Sequence, residues 1–168
     1  MVVSQLNSSS VSASQSECER AESLLRKAKV RVTDARARVL STLLISQRAL
    51  SHLEVQEALK NIDRVTLYRA LDCLTDAGLA HKITGDDRIF RYSTGSEKFV
   101  SGMESGFEHQ HAHFKCTRCN KLFCLNDEQQ ASALKEQLTF TLQTTMPRGF
   151  QSHDIELTIK GWCISCST

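Results

Sequence analysis

The sequence predicts an α+β chain in two parts: an N-terminal winged helix-turn-helix and, after a break, a small α/β domain. Three observations predict it. Short amphipathic segments with capping residues precede a hairpin pattern around Gly85-Asp86-Asp87. The stretch Ser93 to Glu108, with Gly95, Gly102 and Gly106, has no periodicity. Beyond it the pattern changes to strand alternation punctuated by two Cys-x-x-Cys units.

The elements follow in order. Residues 1–16 are rich in Ser, Gln and Asn and read as a disordered tail. Glu17 to Lys29 carries Ala21, Leu24, Leu25 and Ala28 on one helical stripe. Thr33 is placed to cap a second helix with Val39, Leu40, Leu43 and Leu44 inward. Ser51 and Glu54 form a capping box that opens a short third helix. Asp63 caps a fourth, Arg64 to Ala77, in which Leu67, Leu71 and Leu74 face the core and Gly78 supplies the left-handed stop. Strands are expected at Leu79–Thr84 and Arg88–Tyr92, closing a winged domain over residues 17–92. Residues 93–108 read as a hinge and 109–168 as the second domain. There His109–Lys115 and Lys121–Leu125 look like strands and Asp127 to Leu142 like a helix. Ser152–Lys160 alternates strictly, with Ile155, Leu157 and Ile159 on one face.

Composition excludes some classes and suggests others. A hydrophobic fraction of 40% suffices for a packed core, and no apolar run of membrane-spanning length occurs. The N-terminus lacks a basic segment followed by an apolar one, so no secretory signal is read and a cytoplasmic location is expected. Clustered cysteines there serve as metal ligands more often than as disulfides. Net charge is only +2, yet it is uneven: residues 17–92 hold 14 Lys/Arg against 11 Asp/Glu, and residues 93–168 hold 7 against 8. The basic excess in the first part hints at an anionic partner there.

The metal chemistry is the most specific signal. Cys116 and Cys119, with Cys163 and Cys166, form two Cys-x-x-Cys turns. Each turn offers two thiolates to one ion, and two turns complete a tetrahedron at zinc–sulfur distances of about 2.3 Å. Neither pair opens a helix in a βαβ unit, as a redox dithiol would. A closed four-cysteine site leaves no position for water, so it predicts a structural zinc and not a catalytic one. A second cluster lies just before Cys116. His109, His111 and His113 share one face of a strand, and neighbours two apart sit about 6.6–7 Å apart at Cα. His111 and His113 are the pair best placed to share an ion, with Cys124 on the next strand and His81 at the start of the wing hairpin. His81, His111, His113 and Cys124 would make a regulatory site bridging the two halves, with His109 or Glu108 as alternatives for the fourth donor. Nitrogen and sulfur donors suit zinc better than magnesium or manganese.

With these residues in view, the sequence resembles the ferric-uptake-regulator family from about residue 17 to 168. The marks are Arg31-Val32-Thr33 through Leu40, the helix Asp63-Arg64-Val65-Thr66-Leu67-Tyr68-Arg69-Ala70-Leu71, His111-Ala112-His113-Phe114-Lys115-Cys116-x-x-Cys119, and the closing Cys163-x-x-Cys166. The resemblance implies an N-terminal winged-helix domain, a C-terminal α/β dimerisation domain, and metal-dependent binding of double-stranded operator DNA by a homodimer. Within the family the pattern is most similar to the zinc uptake regulator branch. Iron-sensing members carry a histidine where this chain has Ala49, and a glutamate where it has Arg91. Zinc-sensing members place a ligand at the position of His81, although some use a cysteine where Arg91 stands. A further family site uses the positions of Gln110 and Ala112, so that site is expected to be absent.

The implied mechanism places the helix Asp63–Ala77 in the major groove. Thr66 and Arg69 lie opposite the leucine stripe with Tyr68 flanking, and Arg69 is the candidate base or phosphate contact. Arg64 and wing Arg88 would hold the DNA backbone. No small-molecule substrate and no membrane partner are expected. The rivals are an iron- or peroxide-responsive member of the same family and a zinc-ribbon interaction module that does not bind DNA. A zinc hydrolase or deaminase is a weaker rival, because the His-x-Glu and Pro-Cys-x-x-Cys signature of the deaminases is missing.

Overall fold

A computed structural model describes residues 8–94, 112–125, 128–151 and 157–167. The chain divides into two compact units, Met1–Glu104 and Ser105–Thr168.

The first unit runs α1 (Ser8–Lys27), α2 (Asp34–Ile45), β1 (Leu50–Ser51), α3 (His52–Leu59), α4 (Arg64–Asp76), β2 (His81–Thr84) and β3 (Phe90–Ser93). Its helix ends obey local chemistry. Thr33, Ser51 and Asp63 each accept a hydrogen bond from the amide three residues on, satisfying donors that the first helical turn leaves orphaned. The Ser51–Glu54 box is reciprocal, since the Glu54 carboxylate accepts from the Ser51 amide at 2.8 Å. Gly78 leaves α4 with φ 69°, a conformation that costs a residue with a Cβ.

The core sits under these helices. Leu25, Leu40, Leu43, Leu67, Leu71 and Leu74 are all but fully buried, together with Val39 and Val55. The three strands pair antiparallel in the order β1-β3-β2, with Leu50 opposite Tyr92 and His81 opposite Ser93. Helices α3 and α4 followed by this small sheet are the winged helix-turn-helix architecture.

The hairpin is pinned from inside. The Arg91 guanidinium makes two bonds to the Asp87 carboxylate, at 2.6 and 3.0 Å, and Asp87 raises the Arg91 pKa, so the fork stays charged. Gly85 lies under this pair, and a Cβ there would come within 2.7 Å of the guanidinium. The position that the resemblance marks as a metal ligand thus serves here as a structural clamp on the wing.

Several details differ from the sequence expectation. The first helix starts at Ser8 and not at Glu17, so residues 8–16 of the expected tail are helical. Extending an existing helix avoids the cost of nucleation, and Ser, Ala and Gln tolerate it. Residues 1–7 lie outside the described ones, as does the expected hinge from residue 95 onward. Arg88 sits in the turn with φ 58°, not in a strand, because β3 begins only at Phe90. Strand β1 leaves no signal in the sequence: two residues carry no periodicity, and only their pairing with β3 defines them.

The second unit contains β4 (Ala112–Cys116), β5 (Leu122–Leu125), α5 (Glu128–Thr145), β6 (Thr158–Gly161) and the single turn α6 (Ile164–Ser167). The sheet order is β5-β4-β6, antiparallel between β4 and β5 and parallel between β4 and β6. A parallel partner needs a crossover, and α5 lies in the connection that provides it. Of the expected final strand, residues 152–156 lie outside the described ones. Among the described residues no helix is long and apolar enough to cross a membrane.

Candidate metal centres and nucleic-acid interface

Parallel pairing explains how two distant Cys-x-x-Cys turns meet. Strands β4 and β6 run in the same direction with Cys116 opposite Gly161, so the turns after both strands lie at one end of the sheet. The four cysteine sulfurs, Cys116, Cys119, Cys163 and Cys166, lie within 4.8 Å of one another. The turns are also tied by the backbone. The Thr117 amide donates to the Gly161 carbonyl at 2.8 Å, and the Cys163 amide donates to Cys116 Sγ at 3.3 Å. Arg118 stacks its guanidinium 3.7 Å from the centre of the Trp162 ring and donates to the Cys166 carbonyl, which links the first turn to the second.

The electrostatics suit a cation. Backbone amides of Cys119 and Cys163 draw the Cys116 thiol down to about 6, favouring its thiolate. The neighbouring thiols, Cys163 first, push Cys166 up to about 12. One thiolate is thus accommodated by the chain alone, whereas four in so small a volume repel one another. A divalent ion that prefers sulfur removes that repulsion, and the donor set fits zinc with tetrahedral coordination.

The second donor set occupies the middle of the same sheet. His113 and Cys124 are direct partners in the β4–β5 register, so both side chains leave the sheet on one face. Their ligand atoms lie within 4.8 Å of each other, and both residues are half-buried. The other face carries the register pair Phe114 and Phe123, with ring centres 6.3 Å apart. His111, together with the alternative donors His109 and Glu108, lies outside the described residues. His81 is in the first unit, where it opens β2 and is buried.

The candidate DNA contacts also lie on the first unit. Helix α4 buries Leu67, Ala70, Leu71 and Leu74 and leaves Arg64 and Arg69 exposed. Tyr68 is half-buried: its ring lies 5.1 Å from that of His52, with the Arg64 guanidinium 5.6 Å from its centre. Thr66 is only partly accessible, being in the first turn under the Asp63 cap. Arg88 is exposed at the tip of the hairpin.

Known proteins share this fold. The model of the ferric uptake regulator family matches residues 27–159. The peroxide-responsive repressor PerR of Staphylococcus epidermidis is 28% identical over 110 residues, which are 63% of this chain and 65% of that repressor, so the match spans less than two thirds of the relative. Among solved structures, a zinc uptake regulator complexed with zinc and DNA is 26% identical, with a TM-score of 0.61 over 92% of this chain and 95% of the other. The Helicobacter pylori ferric uptake regulator Fur, whose structure reveals three functional metal-binding sites, is 19% identical with a TM-score of 0.56 over 99% and 98% of the two chains; at that identity the likeness is one of fold. With the family model spanning most of its length, the chain belongs to the ferric uptake regulator family.

Proposed function

We propose that this protein is a zinc-responsive transcriptional regulator that binds operator DNA as a homodimer and represses metal-uptake genes. The observation that carries the proposal is the presence of two separate donor sets in one small unit, the four cysteine sulfurs and the His113–Cys124 nitrogen and sulfur pair. The first is closed by its own chain and suits a structural zinc. The second offers two donors from adjacent strands and is completed, in this proposal, by His111 and by His81 from the winged unit. Zinc at the second site supplies a link between the unit that holds the dimer and the unit that holds DNA. That link selects the arrangement in which two recognition helices match two half-sites. No carboxylate enters the proposed four-residue set, which favours zinc over magnesium or manganese.

Helix α4 is the proposed recognition helix, with Arg69 at a base edge, Tyr68 beside it, and Thr66 near the groove. Arg64 and Arg88 hold phosphates. The Arg69→Ala variant tests the proposal. It is expected to weaken binding to a duplex selected from a random library by about 1–3 kcal/mol, the loss typical of one base-reading arginine. Its melting temperature should stay close to that of the wild type, since Arg69 is exposed opposite the leucine stripe. A large fall in melting temperature with unchanged DNA affinity would assign Arg69 to packing and remove α4 from the interface.

A further inference from the structure

We infer that Val65 reads the methyl group of a thymine in the major groove, which makes it a specificity-determining residue of α4. The inference rests on the DNA-binding function proposed above. Val65 is 59% exposed in the first turn of a helix whose Leu67, Ala70, Leu71 and Leu74 are buried. Helical spacing places it on the side opposite that stripe, one turn before Arg69. Exposing a β-branched residue there forgoes both the helix propensity of alanine and the solvation of a polar side chain. Its surroundings specify what covers it. Arg64 and Arg69 are exposed beside it and Tyr68 flanks it, while the nearby Asp63 carboxylate is engaged as the N-cap by the Thr66 amide, so cationic and aromatic groups surround one apolar spot. Asp72 and Asp76 continue the exposed side only toward the C-terminal end of the helix. A recognition helix meets base edges with its N-terminal residues, where Val65 stands and the two aspartates do not. The major groove presents one apolar group at its edge, the C5 methyl of thymine, and a branched aliphatic side chain fits it.

The test uses the zinc-loaded full-length protein and a duplex selected with it from a random library. Each thymine is then replaced singly by deoxyuridine, which keeps base pairing and removes only the methyl. The wild type is expected to lose about fourfold in affinity at one position of each half-site, the equivalent of one buried methyl group. Val65→Ala should bind the unmodified duplex more weakly and be indifferent to deoxyuridine at that position. Val65→Thr, which keeps the shape and exchanges one methyl for a hydroxyl, should show a reduced methyl dependence, and both variants should melt with the wild type. If Val65→Ala keeps every deoxyuridine penalty of the wild type, or if no position shows one, Val65 does not read a methyl. A library that yields no preferred sequence would overturn the DNA-binding proposal itself, and this inference with it.

Discussion

The Cys116→Ser variant is expected to lose its tightly held zinc, to unfold the second unit and to fail to dimerise, while the first unit stays folded. The reason is the share of the second unit's described burial that its cysteines supply. Among the described residues its buried apolar side chains are Cys116, Leu122 and Cys163, two of which are proposed zinc ligands. The first unit has a continuous cluster of leucines, valines and alanines from four helices. Structural zinc in small domains contributes about 10–16 kcal/mol of apparent binding free energy at neutral pH, as much as or more than a whole domain's stability of about 5–15 kcal/mol. Serine is nearly the size of cysteine, so steric damage does not explain the loss. Cys163→Ser should behave alike, because each turn contributes half of the tetrahedron. Metal analysis, sedimentation and amide exchange read the three effects separately. A Cys116→Ser protein that keeps about one zinc per chain and remains dimeric would remove the four-cysteine site from the account.

The second large effect separates sensing from folding. His113→Ala and Cys124→Ser are each expected to leave a folded dimer with its four-cysteine zinc and to abolish the gain in DNA affinity on adding zinc. Both residues lie on strands β4 and β5, away from the cysteine turns, yet in direct register with one another. Losing either would leave the proposed second ion without a complete donor set. Allosteric coupling of about 1–3 kcal/mol, or 5- to 150-fold in affinity, is then lost. His81→Ala should do the same if the site links the two units. His109→Ala should do less, since one strand does not readily present both His109 and His113 to one ion. Zinc stoichiometry measured beside DNA binding decides the matter. Full zinc-dependent binding by Cys124→Ser would pass the role of fourth donor to Glu108 or His109. The same result for His81→Ala would confine the metal to the second unit.

What could be read from the sequence was what depends on neighbours along the chain. The caps at Thr33, Ser51 and Asp63, the left-handed Gly78 and the leucine stripe of α4 each rest on residues within a turn or two. The paired cysteine turns were equally legible, since ligand spacing is local to each turn. What escaped depends on distant partners. Strand β1 exists only through its pairing with Tyr92 and Arg91. Arg91 looked like a departure from a ligand pattern, and its clamp on Asp87 emerges only when the hairpin closes. The parallel pairing of β6 with β4, which carries Cys163 to Cys116, leaves no mark in alternation, because alternation is the same in either direction. Val65 carries no such signal in the sequence, although its helical position is fixed there. An apolar residue on a polar face suggests a ligand only once its exposure is known.

Zinc control of DNA binding is the central claim, and one titration tests it most directly. Full-length protein with its four-cysteine site loaded is stripped of the second ion. Its affinity for the selected duplex is then followed against buffered zinc, ferrous iron and manganese. Zinc is expected to raise affinity at free concentrations far below those at which the other two ions act, as a histidine and cysteine donor set requires. Affinity that does not change with zinc, or that rises with ferrous iron or manganese at equal or lower free concentration, would contradict it.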